Sequence, residues 1–123
     1  MPEASPRYGQ AMHPYTPVRR AGDLLFVSGQ LGVDDQGELP GDITAETHLA
    51  FANLRGQLEQ HGAGLSDVVK VTVYLGDLAD RAEFDPIYAD YFREPRPART
   101  CIEAGALPFG ARVEFEAVAY LPG

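Results

Sequence analysis

Residues 97–120 read PARTCIEAGALPFGARVEFEAVAY, two strand-like runs joined by a short Gly/Pro loop. Arg99 stands among small and apolar residues on the first run; on the second, Glu114 and Glu116 alternate with Val113, Phe115 and Ala117. A cation and two carboxylates on strands that otherwise read as core call for a sheet with one apolar and one polar face.

Working outward, residues 66–77, SDVVKVTVYLGD, set Val69, Val71, Val73 and Leu75 against Lys70, Thr72 and Tyr74, the period-2 pattern of another two-faced strand. Upstream, PVRRAGDLLFVSGQLGV predicts a hairpin turning at Ala21-Gly22-Asp23, with a strand over 24–30. Two stretches change period. Ile43, Thr47, Ala50, Phe51, Leu54 and Leu58 form a helical stripe, with Asp42 or Thr44 as cap and Gly62 or Gly64 as stop. The second helix is expected to begin with Asp85 as N-cap and Pro86 at the first helical position, packing through Ile87, Tyr88, Tyr91 and Phe92.

The order strand, strand, helix, strand, helix, strand, strand predicts an α+β two-layer sandwich with one sheet face uncovered. Assigning the apolar sets to the helices leaves the open face with Arg99, Cys101, Glu114, Glu116, Lys70, Thr72 and Tyr74, joined by Phe26, Ser28 and Gln30. That face is too apolar for ordinary solvation and too charged for a core, so a homo-oligomer is expected to bury it.

The 123 residues, 45% of them hydrophobic, suffice for one domain over 1–123, with 1–14 as a loose arm lacking any period. A net charge of −8 lacks the basic footprint that phosphate binding needs, so no nucleic-acid partner is expected. The single Cys101 cannot form an intramolecular disulfide, and no apolar run approaches the roughly 20 residues of a membrane span. A cytoplasmic protein without membrane partner is the expectation.

Each charged strand residue has two readings. Arg99 presents a planar fork suited to a carboxylate ligand, or it forms a structural ion pair with Glu114 or Glu116, or with a neighbouring chain. Of the two glutamates, one could serve as general base with its pKa raised by its neighbour, or both could belong to a paired, charged face. Paired carboxylates also occur in glycosidases, but the chain shows no aromatic sugar cleft. Cys101 reads as a small hydrophobe more readily than as a nucleophile, lacking a histidine partner in the pattern. His13, His48 and His61 share no metal-ligand spacing, and neither SGQLG nor GALPFG has nucleotide-loop spacing, so no metal or cofactor is expected. Tyr15, in HPYTP, either caps a hydrophobic edge or touches a ligand.

The stretches PYTPVRRAGDLLFVSGQLG, AGLSDVVKVTVYLGDL and PARTCIEAGALPFGARVEFEAVAY together resemble the reactive intermediate imine deaminase family, RidA or YjgF, also labelled L-PSP endoribonuclease. The resemblance covers nearly the whole chain. It implies a chorismate-mutase-like fold, a mixed sheet with two helices on one face, assembled as a homotrimeric barrel with sites between subunits. It further implies hydrolysis of small carboxylate-bearing enamines and imines (2-aminoacrylate, 2-iminopropionate, 2-iminobutyrate) to 2-keto acids and ammonia. By position, Arg99 matches the carboxylate-binding arginine, Glu114 the acidic residue that handles water, Tyr15 an aromatic gate and Ser28 a polar pocket residue. Cys101 matches the residue whose backbone contacts the imine, and Asp85, standing where relatives commonly have asparagine, is counted among the substrate-binding residues. Two other readings stay open: a larger enamine such as 2-aminomuconate as substrate, or a non-catalytic trimer that binds 2-keto acids. An endoribonuclease fits poorly with the acidic charge and the missing histidine set.

Overall fold

The computed structural model describes residues 13–123, so most of the expected N-terminal arm lies outside the described residues. Five strands, β1 (Val18–Ala21), β2 (Leu24–Leu31), β3 (Val68–Leu75), β4 (Ala98–Glu103) and β5 (Val113–Tyr120), form one sheet in the order β1-β2-β5-β3-β4. Every pairing is antiparallel except that of β3 with β4. Helices α1 (Ile43–Glu59) and α2 (Arg81–Tyr91) are the crossovers between β2 and β3 and between β3 and β4. Both crossovers connect parallel strands, and their shared handedness brings both helices to one sheet face. The α+β two-layer sandwich is as expected.

The expected hairpin forms, with Gly22 at φ +60 in its turn. All six residues of the α1 stripe are buried, and the Asp42 carboxylate caps the helix by accepting from Ala45 N–H at 2.7 Å. Phe51 stacks on Tyr91 at 4.0 Å and meets Phe115 of β5 at 4.7 Å, which links both helices to the middle of the sheet. Burying each such ring contributes about 1.5–3 kcal/mol.

The second helix departs from expectation. It begins at Arg81, preceded by a 3₁₀ turn in which the Asp77 carboxylate accepts from Ala79 N–H at 2.9 Å, and Pro86 lies inside it. The proline and Ala82, four residues earlier, are both on the exposed side. Water can therefore serve the carbonyl that loses its helical donor. Asp85 is consequently a mid-helix residue and not a cap. Of the expected packing residues, Tyr88 and Phe92 are buried while Ile87 and Tyr91 are only partly so; Phe84 supplies the missing core contact.

Three face assignments are also corrected. Register pairs Val71 with Arg99 and Val73 with Cys101 across the parallel junction. Laterally paired residues point the same way, so Arg99, Cys101 and Glu103 share the helix side with the buried valines, while Ala98, Thr100 and Ile102 occupy the open face. Glu103 confirms this by accepting from Leu78 N–H at 2.8 Å, just ahead of α2. A bulge between Val27 and Gln30 turns Gln30 into the core, at 3% exposure, and a second between Val68 and Lys70 buries Val68 in place of Val69.

The remaining open-face residues stand as expected. Lys70 donates to Thr100 Oγ1 at 3.3 Å, and Tyr74 hydroxyl donates to Glu116 Oε1 at 3.4 Å. Phe26 and Tyr120 are exposed, and the reassigned Val69 and Ile102 are exposed large hydrophobic residues as well. No helix among the described residues is long and apolar enough to cross a membrane.

Candidate active site

β4 is an edge strand, and its helix-side residues look onto the flank of α2. There Arg99 Nη1 donates to Asp85 Oδ1 at 2.7 Å, and the guanidinium carbon lies 4.8 Å from the Tyr88 ring centroid. The carboxylate and the aromatic face fix the guanidinium in place. The arginine's ion-pair partner is thus Asp85, not Glu114 or Glu116. Two residues on, Cys101 packs partly against the core, and burial pushes its thiol up despite the opposing pull of Arg99. Such a thiol is a poor nucleophile. Tyr88 hydroxyl is buried with no hydrogen-bond partner among the described residues, and burial pushes it to about 12.

The second cluster lies across the sheet. Glu114 rests over Gly29, where a Cβ would run into its carboxylate. Burial, assisted by Glu116, raises the Glu114 carboxyl above its ordinary value, and Tyr15 hydroxyl is raised by burial and by Glu114. Tyr15 stacks on His13 at 4.7 Å, and Ser28 hydroxyl donates to Thr16 carbonyl at 2.9 Å, fastening the segment that carries Tyr15 to β2. Tyr15, Ser28 and Glu114 therefore gather as the sequence suggests, while Arg99, Cys101 and Asp85 gather on the opposite side. Within one chain the Arg99 guanidinium and the Glu114 carboxylate do not meet.

Three contributors escaped the sequence reading. Gly29 could be found only through the pairing that lays Glu114 against it. Tyr88 read as a core residue, with no sign that its ring would carry Arg99. Glu46 is only 2% exposed and accepts from the N–H groups of Arg112 at 2.6 Å and Val113 at 3.0 Å, anchoring the entry to β5 two residues and one residue before Glu114. Its lone sequence signal is a carboxylate beside the apolar stripe of α1.

A cleft of about 420 Å³ between the end of α1 and the 91–97 loop, walled by Arg55, Leu65, Tyr91 and Pro95, contains none of these groups. Among the described residues no three His, Cys, Asp or Glu side chains are grouped to hold a metal ion.

The family model described as Endoribonuclease L-PSP matches residues 5–121. The chain belongs to this family, the RidA/YjgF family. A RutC family protein of Pyrococcus abyssi is 44% identical over 109 residues, covering 87% of this chain and 86% of its own. The mouse protein named 2-iminobutanoate/2-iminopropanoate deaminase is 39% identical over 111 residues, covering 89% and 82%. The crystal structure of RidA from an Antarctic Psychrobacter superposes with a TM-score of 0.85 at 35% identity, covering 91% of this chain and 92% of that one. The RidA/YjgF resemblance of the three sequence stretches thus extends to the whole fold.

Proposed function

We propose that this RidA/YjgF-family chain hydrolyses small imino and enamine acids to 2-keto acids and ammonia, with 2-aminoacrylate, 2-iminopropionate and 2-iminobutyrate as substrates. The observation that carries the proposal is the arginine of β4. Its guanidinium is held by Asp85 and Tyr88 while its Nε and Nη2 donors have no partner among the described residues, an arrangement suited to a ligand carboxylate. The mouse relative's name supplies the reaction class.

Glu114, with its raised pKa, suits the base that takes a proton from water as the water oxygen attacks the C=N carbon. The nitrogen gains a proton, and the resulting carbinolamine breaks its C–N bond to leave a keto acid and ammonia. The main chain at Cys101, on an edge strand, is assigned to orient the imine N–H; Tyr15 and Ser28 line the approach. Such imines already react with water, so positioning and one base supply the acceleration. No step requires a metal or cofactor.

Because Arg99 and Glu114 lie on opposite faces of one sheet, the site is completed between chains. A homotrimer that buries the exposed Phe26, Val69, Ile102 and Tyr120 provides that junction. The test is imine decay: 2-aminoacrylate and 2-iminobutyrate are generated by a serine/threonine dehydratase and the remainder trapped with semicarbazide. Wild type is expected to deplete the imine, folded Arg99→Ala not to, and Arg99→Lys to retain a small fraction. Full activity in Arg99→Ala would overturn the assignment.

A further inference from the structure

Asp85 of α2 is in direct contact with the guanidinium of Arg99. Asp85 Oδ1 accepts from Arg99 Nη1 at 2.7 Å, while Asp85 Oδ2 lies 3.9 Å from Arg81 Nε, a longer and more exposed contact. The Asp85 side chain is 42% exposed and that of Arg99 24%, so the pair sits in an open seam between α2 and β4, accessible to a ligand. Tyr88 and Cys101 are the other titratable groups beside the guanidinium. Burial raises both, so they remain neutral near pH 7 and Asp85 is the formal negative charge on Arg99.

A guanidinium offers a carboxylate two bidentate forks, the Nη1/Nη2 end and the Nε/Nη2 side. With Asp85 on Nη1, a ligand that leaves the ion pair intact binds two-on-two only along the side. Its carboxylate then lies close to the Asp85 carboxylate, and like charges at such range repel. We propose that Asp85 sets the affinity and the charge selectivity of this site: it fixes the Arg99 guanidinium for side-on binding, weakens the hold on every carboxylate, and favours monocarboxylates over dicarboxylates. The inference rests on reading Arg99 as the carboxylate-binding residue. It also argues against an enamine dicarboxylate as the physiological substrate.

The test uses the assembled full chain as wild type, Asp85→Asn, Asp85→Ala and Arg99→Ala. Pyruvate and 2-oxoglutarate are titrated calorimetrically, and decay of 2-iminopropionate is followed in parallel. Asp85→Asn keeps an oxygen acceptor for Nη1 but removes the charge. It is expected to bind pyruvate about tenfold more tightly, to lower KM by a similar factor with little change in kcat, and to narrow the preference for pyruvate over 2-oxoglutarate. Asp85→Ala also removes the acceptor, so kcat is expected to fall while the affinity gain persists. Arg99→Ala is expected to bind neither acid.

Unchanged or weaker pyruvate binding by Asp85→Asn, or an unchanged preference between the acids, overturns the proposal, as does absence of binding in every variant. The two readings fail separately. Imine turnover by wild type together with unaltered Asp85→Asn affinity sinks this inference and leaves the deaminase standing. Tighter acid binding by Asp85→Asn without imine turnover by any variant supports the inference and sinks the deaminase.

Discussion

Val71 and Arg99 stand opposite one another at the sheet's parallel junction, and this pairing sends the Arg99 side chain toward α2. Glu114, paired with Tyr74 on the other side of β3, points to the open face. The chain thus carries Arg99 and Glu114, the proposed carboxylate-binding cation and the proposed base, on opposite sides of one sheet. The proposed function therefore requires an assembly in which two chains complete the site.

Glu116 is the anionic neighbour that helps burial raise the Glu114 carboxyl. Glu114 acts as base only when ionised, so deamination is expected to fall as pH drops through its raised pKa. Glu116→Gln removes one cause of the shift and should move the acid limb of the kcat/KM profile to lower pH. Glu114→Gln should lower kcat by about 10²–10⁴-fold. An acid limb that stays in place in Glu116→Gln would show that Glu114 does not govern it.

Glu46 tests stability without touching the chemistry. Its folded-state pKa is raised above 4.5, chiefly by burial, against two backbone hydrogen bonds that lower it. A carboxyl raised on folding contributes stability that is fully present below its unfolded pKa and is lost as pH rises through its folded pKa. Glu46→Gln keeps an acceptor for Arg112 and Val113 without titrating. Its stability relative to wild type should therefore rise across that window, as measured by urea unfolding at several pH values. Glu46→Ala leaves both N–H groups without their acceptor and should cost about 2–4 kcal/mol.

Two glycines of β2 and its exit separate activity from stability. A Cβ at Gly29 meets the movable Glu114 carboxylate, whereas one at Gly32 meets the Glu46 backbone carbonyl. Gly29→Ala is expected to keep its melting temperature within a few degrees while losing most deaminase activity. Gly32→Ala should lower stability by about 1–3 kcal/mol because backbone must shift. Equal effects of the two substitutions on melting temperature would contradict the distinction.

Cys101 is assigned through its main chain, and burial keeps its thiol protonated. Cys101→Ala should retain deaminase activity within several-fold, and iodoacetamide should modify the native protein slowly. Loss of activity in a folded Cys101→Ala would make the sulfur itself part of the site.

Period and capping made most of the architecture readable: the α1 stripe with its Asp42 cap, the hairpin at Gly22 and the alternation of β5 all stand as expected. Alternation could not say which side of β4 faces the helices, because Ala98, Thr100 and Ile102 are as apolar as many core sets. That choice depends on register with β3, a non-local fact. The bulges that bury Gln30 and Val68 are likewise invisible to a strict period of two. Asp85 read as a cap because Pro86 suits a first helical position; the 3₁₀ turn at Leu78–Asp80 started the helix earlier. The candidate site residues were named through family resemblance, and their division between two faces was not legible.

That division is tested most directly by complementation. Arg99→Ala and Glu114→Gln proteins, each inactive alone, are mixed, unfolded and refolded together, and imine decay is measured on the mixed assemblies. With sites shared between chains, half the arginines and half the glutamates are intact, so about a quarter of the wild-type rate should return. Mixed assemblies that stay inactive, or a monomeric wild type that deaminates at full rate, would contradict a site built from Arg99 of one chain and Glu114 of another.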